Sequence, residues 1–349
     1  MMQYEARSHA PSAYSSFGNS TEQPMAKFPL SARRLSRTKT VVGSALCATG
    51  LAFFVLGAWA GVTDSWPVRF PLQLIVGRPK PIAMMPESRH AAMDRAGRLL
   101  DYPGKIEVQC PEQGPGTAVI LVAGQSNAAN TGAERHVTRY PDRVLNFVAG
   151  RCFVAASPLL GTNGFAGELW TPLADKLIES GGFDKVILAP VAVGSTNVAQ
   201  WAEGGDVNAT MKPLLEALVS RYRITHVLWH QGESDLMLGT DADSYRKSFL
   251  SFAASLRSQG VEAPIYVSRA TRCGPGWKVP NPVRTAQVEL LDSKSGIKSG
   301  VDTDLLLEAQ DRYDDCHFAE SGQMKAAKAW AELLSPPQNA AQLKIDQRR

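Results

Sequence analysis

From about residue 105 the chain alternates between two hydrophobic patterns. The first is the continuous apolar run that ends in glycine or polar residues: "TAVILVAG" (117–124), "DKVILAPVAVG" (184–194), "THVLWHQG" (225–232), "PIYVSRAT" (264–271) and "TDLLLEA" (303–309). These runs alternate too little for half-exposed strands and read as strands buried on both faces. The second pattern is helical. In "ELWTPLADKLIES" Leu169, Leu173 and Leu177 fall on one face, and "MKPLLEALVSRY", "YRKSFLSFAASLRS", "VRTAQVELLDS" and "GQMKAAKAWAELL" behave likewise. Buried strands alternating with amphipathic helices predict an α/β fold, a parallel sheet covered by helices on both sides. Ligands of such sheets bind outside the carboxyl ends of the strands, so the polar residues there are the ones that bear on function.

One apolar run is of another kind. Residues 41–62, "VVGSALCATGLAFFVLGAWAGV", carry no charge and match the roughly 20 residues that cross a bilayer as a helix. "ARRLSRTK" precedes the run with four positive charges. The pattern predicts a transmembrane signal anchor with a cytoplasmic N-terminus and an exported remainder. "AWA" at 58–60 keeps a cleaved signal peptide and secretion as the alternative, and Met25 is an alternative start. The predicted organisation is a disordered basic tail over 1–40 and the anchor over 41–62. A proline-containing linker follows over 63–104, with a short helix at "SRHAAMDRAGRLL" capped by Ser88. A globular domain over 105–336 and a flexible tail over 337–349 complete it.

Composition narrows the function class. With 349 residues, 44% of them apolar and 20% charged, the chain has the balance of a globular protein. Much of the net charge of +4 comes from Arg7, Lys27, Arg33, Arg34, Arg37 and Lys39. The rest is nearly neutral and has no basic footprint for nucleic acid. Outside the apolar run stand four cysteines, Cys110, Cys152, Cys273 and Cys316. An exported domain can form disulfides from them, in any of three pairings.

The strand ends carry "GQSNA", "VGSTN" and "HQGESD", and "DRYDDCHF" follows the fifth run. This set suits acyl transfer. Ser126 is the candidate nucleophile and needs a base within reach, for which His317 is the candidate. Asp314, three residues earlier, is spaced to orient the imidazole. The tetrahedral intermediate needs donors, and the candidates are the backbone N–H groups of Ser126 and Gly194 and the side-chain amide of Gln231. His230 is a competing base. Glu233 is a loop-shaping residue or a contact for a sugar hydroxyl. Trp201 is a sugar-stacking or packing residue, and Asn127 a loop-bonding one.

The blocks "GQSNA", "GSTNVAQW", "HQGESD" and "DDCH" resemble those of the SGNH (GDSL-like) hydrolases. The resemblance is nearest to the branch of sialate O-acetylesterase-like carbohydrate acetylesterases and covers about 115–335. It implies a three-layer α/β/α sandwich on a flavodoxin-like sheet of five parallel strands, and no metal or cofactor. It also implies Ser126, Asp314 and His317 as the triad, Gly194 in the oxyanion hole, and Gln231 where other SGNH branches place an asparagine. On that picture Cys273, after the fourth strand, pairs with Cys316 inside the Asp-x-x-His block. Cys110 and Cys152 then tie down the start of the domain. The expected function is an exported, membrane-tethered serine esterase that removes acetyl groups from a carbohydrate. The alternatives are a polysaccharide O-acetyltransferase using the same triad and a non-enzymatic glycan-binding or envelope-scaffold domain.

Overall fold

The computed structural model describes residues 91–336. The basic tail, the apolar run over 41–62, most of the linker and the C-terminal tail lie outside the described residues. Among the described residues no helix is long and apolar enough to cross a membrane.

Strands β1 (Ala92–Met93) and β2 (Leu99–Asp101) form a small antiparallel hairpin. The main sheet is built from β3 (Glu107–Val108), β4 (Thr117–Gly124), β5 (Val144–Val148), β6 (Arg151–Val154), β7 (Lys185–Pro190), β8 (His226–His230), β9 (Ile265–Arg269) and β10 (Ile297–Asp302). Its order is β10-β9-β8-β4-β7-β5-β6-β3. From β10 to β5 every pairing is parallel, and β6 and β3 close one edge antiparallel.

The helices are α1 (Trp170–Glu179), α2 (Val198–Trp201), α3 (Asp206–Arg221), α4 (Glu233–Leu238), α5 (Ala242–Ser258), α6 (Pro282–Glu289), α7 (Thr303–Leu306) and α8 (Glu320–Leu334). All eight residues of β4 are buried, and the strand's period of two divides them between two cores. Val119, Leu121 and Ala123 pack with Met211 and Leu215 of α3, Phe249 and Phe252 of α5, and Val283 and Ala286 of α6. Ala118, Ile120 and Val122 pack with Leu173 and Leu177 of α1 and with Ala326 and Trp330 of α8. Each large aliphatic side chain so buried contributes about 1.5–3 kcal/mol. The three layers α/β/α follow from this division.

Strands β7-β4-β8-β9-β10, numbered by their order in the chain, read 2-1-3-4-5, the flavodoxin-like order. The sheet is nevertheless larger than the five strands expected. "VLNFV" adds a sixth parallel strand beside β7, and it turns through Ala149 (φ 47°) and Gly150 (φ 82°) into β6. Two successive positive φ values match the twist of a tight hairpin.

Two local expectations fail. "TDLLLEA" is not a strand: its first four residues are α7, capped by the Asp302 side chain accepting from Leu305 N–H. The fifth strand is the preceding "IKSGVD". The helix expected in "SRHAAMDRAGRLL" is, over its described part, the β1–β2 hairpin. Asp94 Oδ1 accepts from the N–H groups of Ala96 and Arg98, and Gly97 turns at φ 75°, which closes the chain on itself before a helix can start.

Candidate active site

Strand β4 delivers the nucleophile loop. Gly124 turns at φ 140°, and a Cβ there would stand 2.0 Å from His230 O. Only glycine lets the end of β4 lie this close to β8. The Gln125 N–H donates to that carbonyl, and Gln125 Oε1 accepts from Gln231 Nε2, Gly232 N and Ser234 N. Ser126 then opens a 3-10 turn over Ser126–Ala128. Its amide heads that turn and has no acceptor within it.

The loop after β10 carries the other pair. His317 Nδ1 is 2.7 Å from Asp314 Oδ2, and Asp314 Oδ1 accepts from the backbone N–H groups of Cys316 and His317. Asp315, at φ 61°, makes the bend between them. Burial pushes the Asp314 carboxyl up, but the bonds from His317 and Cys316 outweigh it and hold the group below the usual carboxylate range. The carboxylate is therefore charged at neutral pH and can stabilise an imidazolium.

Asn127 stitches the two loops together. Its Nδ2 donates to Cys316 O at 3.2 Å and to Glu233 Oε1 at 2.8 Å. Ser126 and His317 are thus neighbours of a bonded pair, although no hydrogen bond joins Ser126 Oγ to His317 among the described residues. Cys273–Cys316 closes the Asp-x-x-His loop, and Cys110–Cys152 joins the segment after β3 to β6. Both expected pairings are formed.

Glu233 is buried, and its Oε1 lies 3.7 Å from His230 Nε2. Burial pushes this carboxyl up, and the contacts with His230 and Asn127 more than reverse the shift. His230 is fully buried and neither ring nitrogen has a hydrogen-bond partner, so it has no path to a substrate as a base. Among the described residues no group of three or more His, Cys, Asp or Glu could hold a metal ion.

The sequence profile of a family described as "Carbohydrate esterase, sialic acid-specific acetylesterase" matches residues 116–335. The chain belongs to this family. The resemblance read from its four motif blocks is borne out. Among solved structures, a protein from Arabidopsis thaliana aligns with 22% identity and a TM-score of 0.50, over 63% of this chain and 98% of its own. A carbohydrate acetylesterase from Xanthomonas citri aligns with 17% identity and a TM-score of 0.41, over 61% of this chain and 54% of its own. No curated protein sequence matches.

Within this carbohydrate-esterase domain the surroundings of Trp201, Gln231 and Gly194 narrow what each can do, and for Trp201 they leave the packing alternative. Trp201 is fully buried, edge-to-face with Trp229 at 5.3 Å, its Nε1 donating to Thr196 Oγ1. It packs the core and offers no face to a sugar. Gln231 is also fully buried, and its Nε2 donates to Thr196 O, Gln125 Oε1 and Asp235 Oδ2. Its two amide hydrogens are committed, so it braces the loop and has none free for an oxyanion. The Gly194 N–H donates to Asn163 Oδ1 at 2.9 Å.

Asn163 is the residue that sequence reasoning missed. A methyl on Gly194 would lie 3.3 Å from Asn163 Nδ2 and 3.6 Å from Ser126 Cβ. The absent side chain of Gly194 therefore leaves a space flanked by the nucleophile and by an amide group. Asn163 Nδ2 has no hydrogen-bond partner among the described residues. In "GTNGF" such an asparagine reads as a turn residue, and nothing local links it to Gly194.

Proposed function

We propose that the protein hydrolyses O-acetyl esters on a carbohydrate with Ser126 as nucleophile, His317 as base and Asp314 as the group that orients it. The observation that carries this reading is the 2.7 Å bond of His317 Nδ1 to Asp314, on a loop that Asn127 ties to the residue after Ser126. That bond places the Nδ1 proton toward Asp314 and leaves Nε2 as the base. Ser126 Oγ attacks the acetyl carbonyl carbon as its proton passes to His317. The tetrahedral oxyanion takes the space beside Gly194, against the Ser126 N–H and Asn163 Nδ2. Collapse expels the sugar oxygen, which takes the proton from His317. Water, activated by the same histidine, then releases acetate. Nucleophile–base hydrogen bonds of free enzymes commonly tighten only when substrate binds.

The test is Ser126→Ala, assayed for acetate release from an O-acetylated sugar. Turnover should fall by about 10³-fold or more. Turnover equal to that of the wild type would sink the proposal.

We also infer export and tethering. The uncharged run over 41–62 and the positive charges before it favour an anchor. Two formed disulfides suit an oxidising compartment. Protease added to spheroplasts, which exposes the periplasmic or extracytoplasmic face, should digest the catalytic domain of a membrane-fraction protein. Full protection would defeat this part.

A further inference from the structure

The attack geometry fixes where the sugar must lie. In an acetyl ester the sugar oxygen is the leaving group, and His317 must reach it to return the proton. Where the acetyl group sits on a ring hydroxyl, the pyranose ring is bonded to that oxygen, so it stands on the His317 side of the acetyl carbon. The surface next to His317 is therefore the surface the sugar meets.

That surface is Tyr313. Its ring lies nearly parallel to the His317 imidazole, with centroids 5.9 Å apart and an interplanar angle of 24°. The Tyr313 N–H donates to His317 O at 3.0 Å, so the two residues face each other across the base of one tight loop. The Tyr313 hydroxyl donates to Thr131 O at 2.9 Å, which fixes the ring against the segment following the nucleophile turn. Even so, 54% of the residue is open to solvent. It is the one exposed Phe, Tyr or Trp among the described residues, and the fold places it beside the base. Trp201, the aromatic that sequence alone offered for sugar stacking, is buried.

We propose that Tyr313 is the platform for the pyranose ring that bears the acetyl group. This rests on the reading of the protein as a carbohydrate O-acetylesterase. A pyranose presents a face of C–H groups, and an aromatic ring held flat by its neighbours covers that face without ordering a flexible side chain. Pre-organisation of this kind lowers the entropic cost of binding. An apolar ring body with a hydrogen-bonded polar tip suits a contact that is half wet and half dry. The same ring gives nothing to a small alkyl acetate, so it selects for the sugar rather than for the acetyl group.

The test measures binding apart from turnover. In a Ser126→Ala background, the affinities for methyl 2-O-acetyl-glucopyranoside and 4-O-acetyl-N-acetylneuraminate, each acetylated on a ring hydroxyl, are measured by titration calorimetry, with and without changes at Tyr313. Tyr313→Ala and Tyr313→Leu should each weaken binding of at least one sugar about tenfold. Tyr313→Phe and Tyr313→Trp should stay within about threefold of tyrosine. Leucine and phenylalanine keep an apolar side chain, so that pair decides the matter even if the alanine variant folds poorly. With Ser126 intact, the loss in Tyr313→Leu should fall more on KM than on kcat, whereas a purely structural role for the ring would lower kcat. Equal affinities for the leucine and phenylalanine variants, or no measurable binding of either sugar, would overturn the proposal. An active esterase whose sugar affinity ignores Tyr313 defeats this inference alone. Tyr313-dependent binding by a protein without turnover defeats the esterase reading alone.

Discussion

At the scale of single residues the site turns on which amide hydrogens are free. Gln231 and Asn163 both carry a side-chain amide, but the fold uses them oppositely. Gln231 spends its hydrogens on three buried acceptors from the loops around it. Asn163 spends only its oxygen, on the Gly194 N–H, and keeps its nitrogen beside the space next to Ser126. Truncating each to alanine should separate stability from chemistry. Asn163→Ala is expected to lower kcat on an acetyl ester about 10²–10³-fold, the cost of one oxyanion donor, with the urea midpoint nearly unchanged. Gln231→Ala is expected to cost about 2–4 kcal/mol of stability, because it leaves Asp235, Gln125 and Thr196 short of a donor in the interior. Urea melts and single-turnover rates on the two variants check this, and the reverse pattern would return the oxyanion role to Gln231. The contrast also marks what the sequence could reveal about the site. Asp314 and His317 are three residues apart, so their partnership is written locally. Asn163 and Gly194 lie 31 residues apart, and their partnership exists only once the chain has folded.

At the scale of elements, the strands hidden by composition were the ones at or near an edge. "TDLLLEA" is more apolar than "IKSGVD" and so reads as the strand by composition. Yet β10 is an edge strand that can show Lys298 to solvent, and its Gly300 exists to receive Trp330, whose ring would stand 2.8 Å from any Cβ there. The central strands, buried on both faces, had no such freedom and were legible from their continuous apolar runs. Elements also decide what each disulfide does. The two bonds span almost equal lengths of chain, with sequence separations of 42 and 43 residues. On the chain-entropy account they restrict the unfolded state equally, by about 4 kcal/mol each. Any difference in activity must then come from where they sit. Cys110–Cys152 fastens the far edge of the sheet, whereas Cys273–Cys316 closes the loop holding Asp314 and His317. Replacing each pair by serines should lower the melting temperature by similar amounts. Only the Cys273→Ser/Cys316→Ser protein should lose turnover, by about tenfold, when assayed at a temperature where both remain folded. Equal turnover in the two proteins would remove the disulfide from the catalytic argument.

At the scale of the whole molecule, the interior sets a pH limit on the folded state that is separate from the chemistry. His226 opens β8 with its ring stacked on Tyr266 and edge-on to Phe183, and Lys298 lies over the other partner of that stack. Burial, with the Lys298 charge adding to it, pushes the imidazole from 6.5 down to about 4. The unfolded chain takes up this proton more readily than the folded one. The group's contribution is therefore complete above about pH 6.5 and is lost as the pH falls from there to about 4. The loss amounts to about 3 kcal/mol at most, from a shift of about 2.5 pKa units. Asp302 and Asp311 are held below the usual carboxylate value of 3.8 by Arg284 and Lys325. Their loss comes only below that range, and Asp235, which burial pushes above the usual carboxylate value, gains rather than loses stability as the pH falls, so the loss in the window from 6.5 to 4 is assigned to His226. Replacing His226 by phenylalanine keeps an aromatic ring between Phe183 and Tyr266 and removes the titrating group. Urea unfolding of the wild type should lose stability steadily across that window, while His226→Phe should hold nearly level. Parallel curves for the two proteins would place the acid sensitivity elsewhere in the fold.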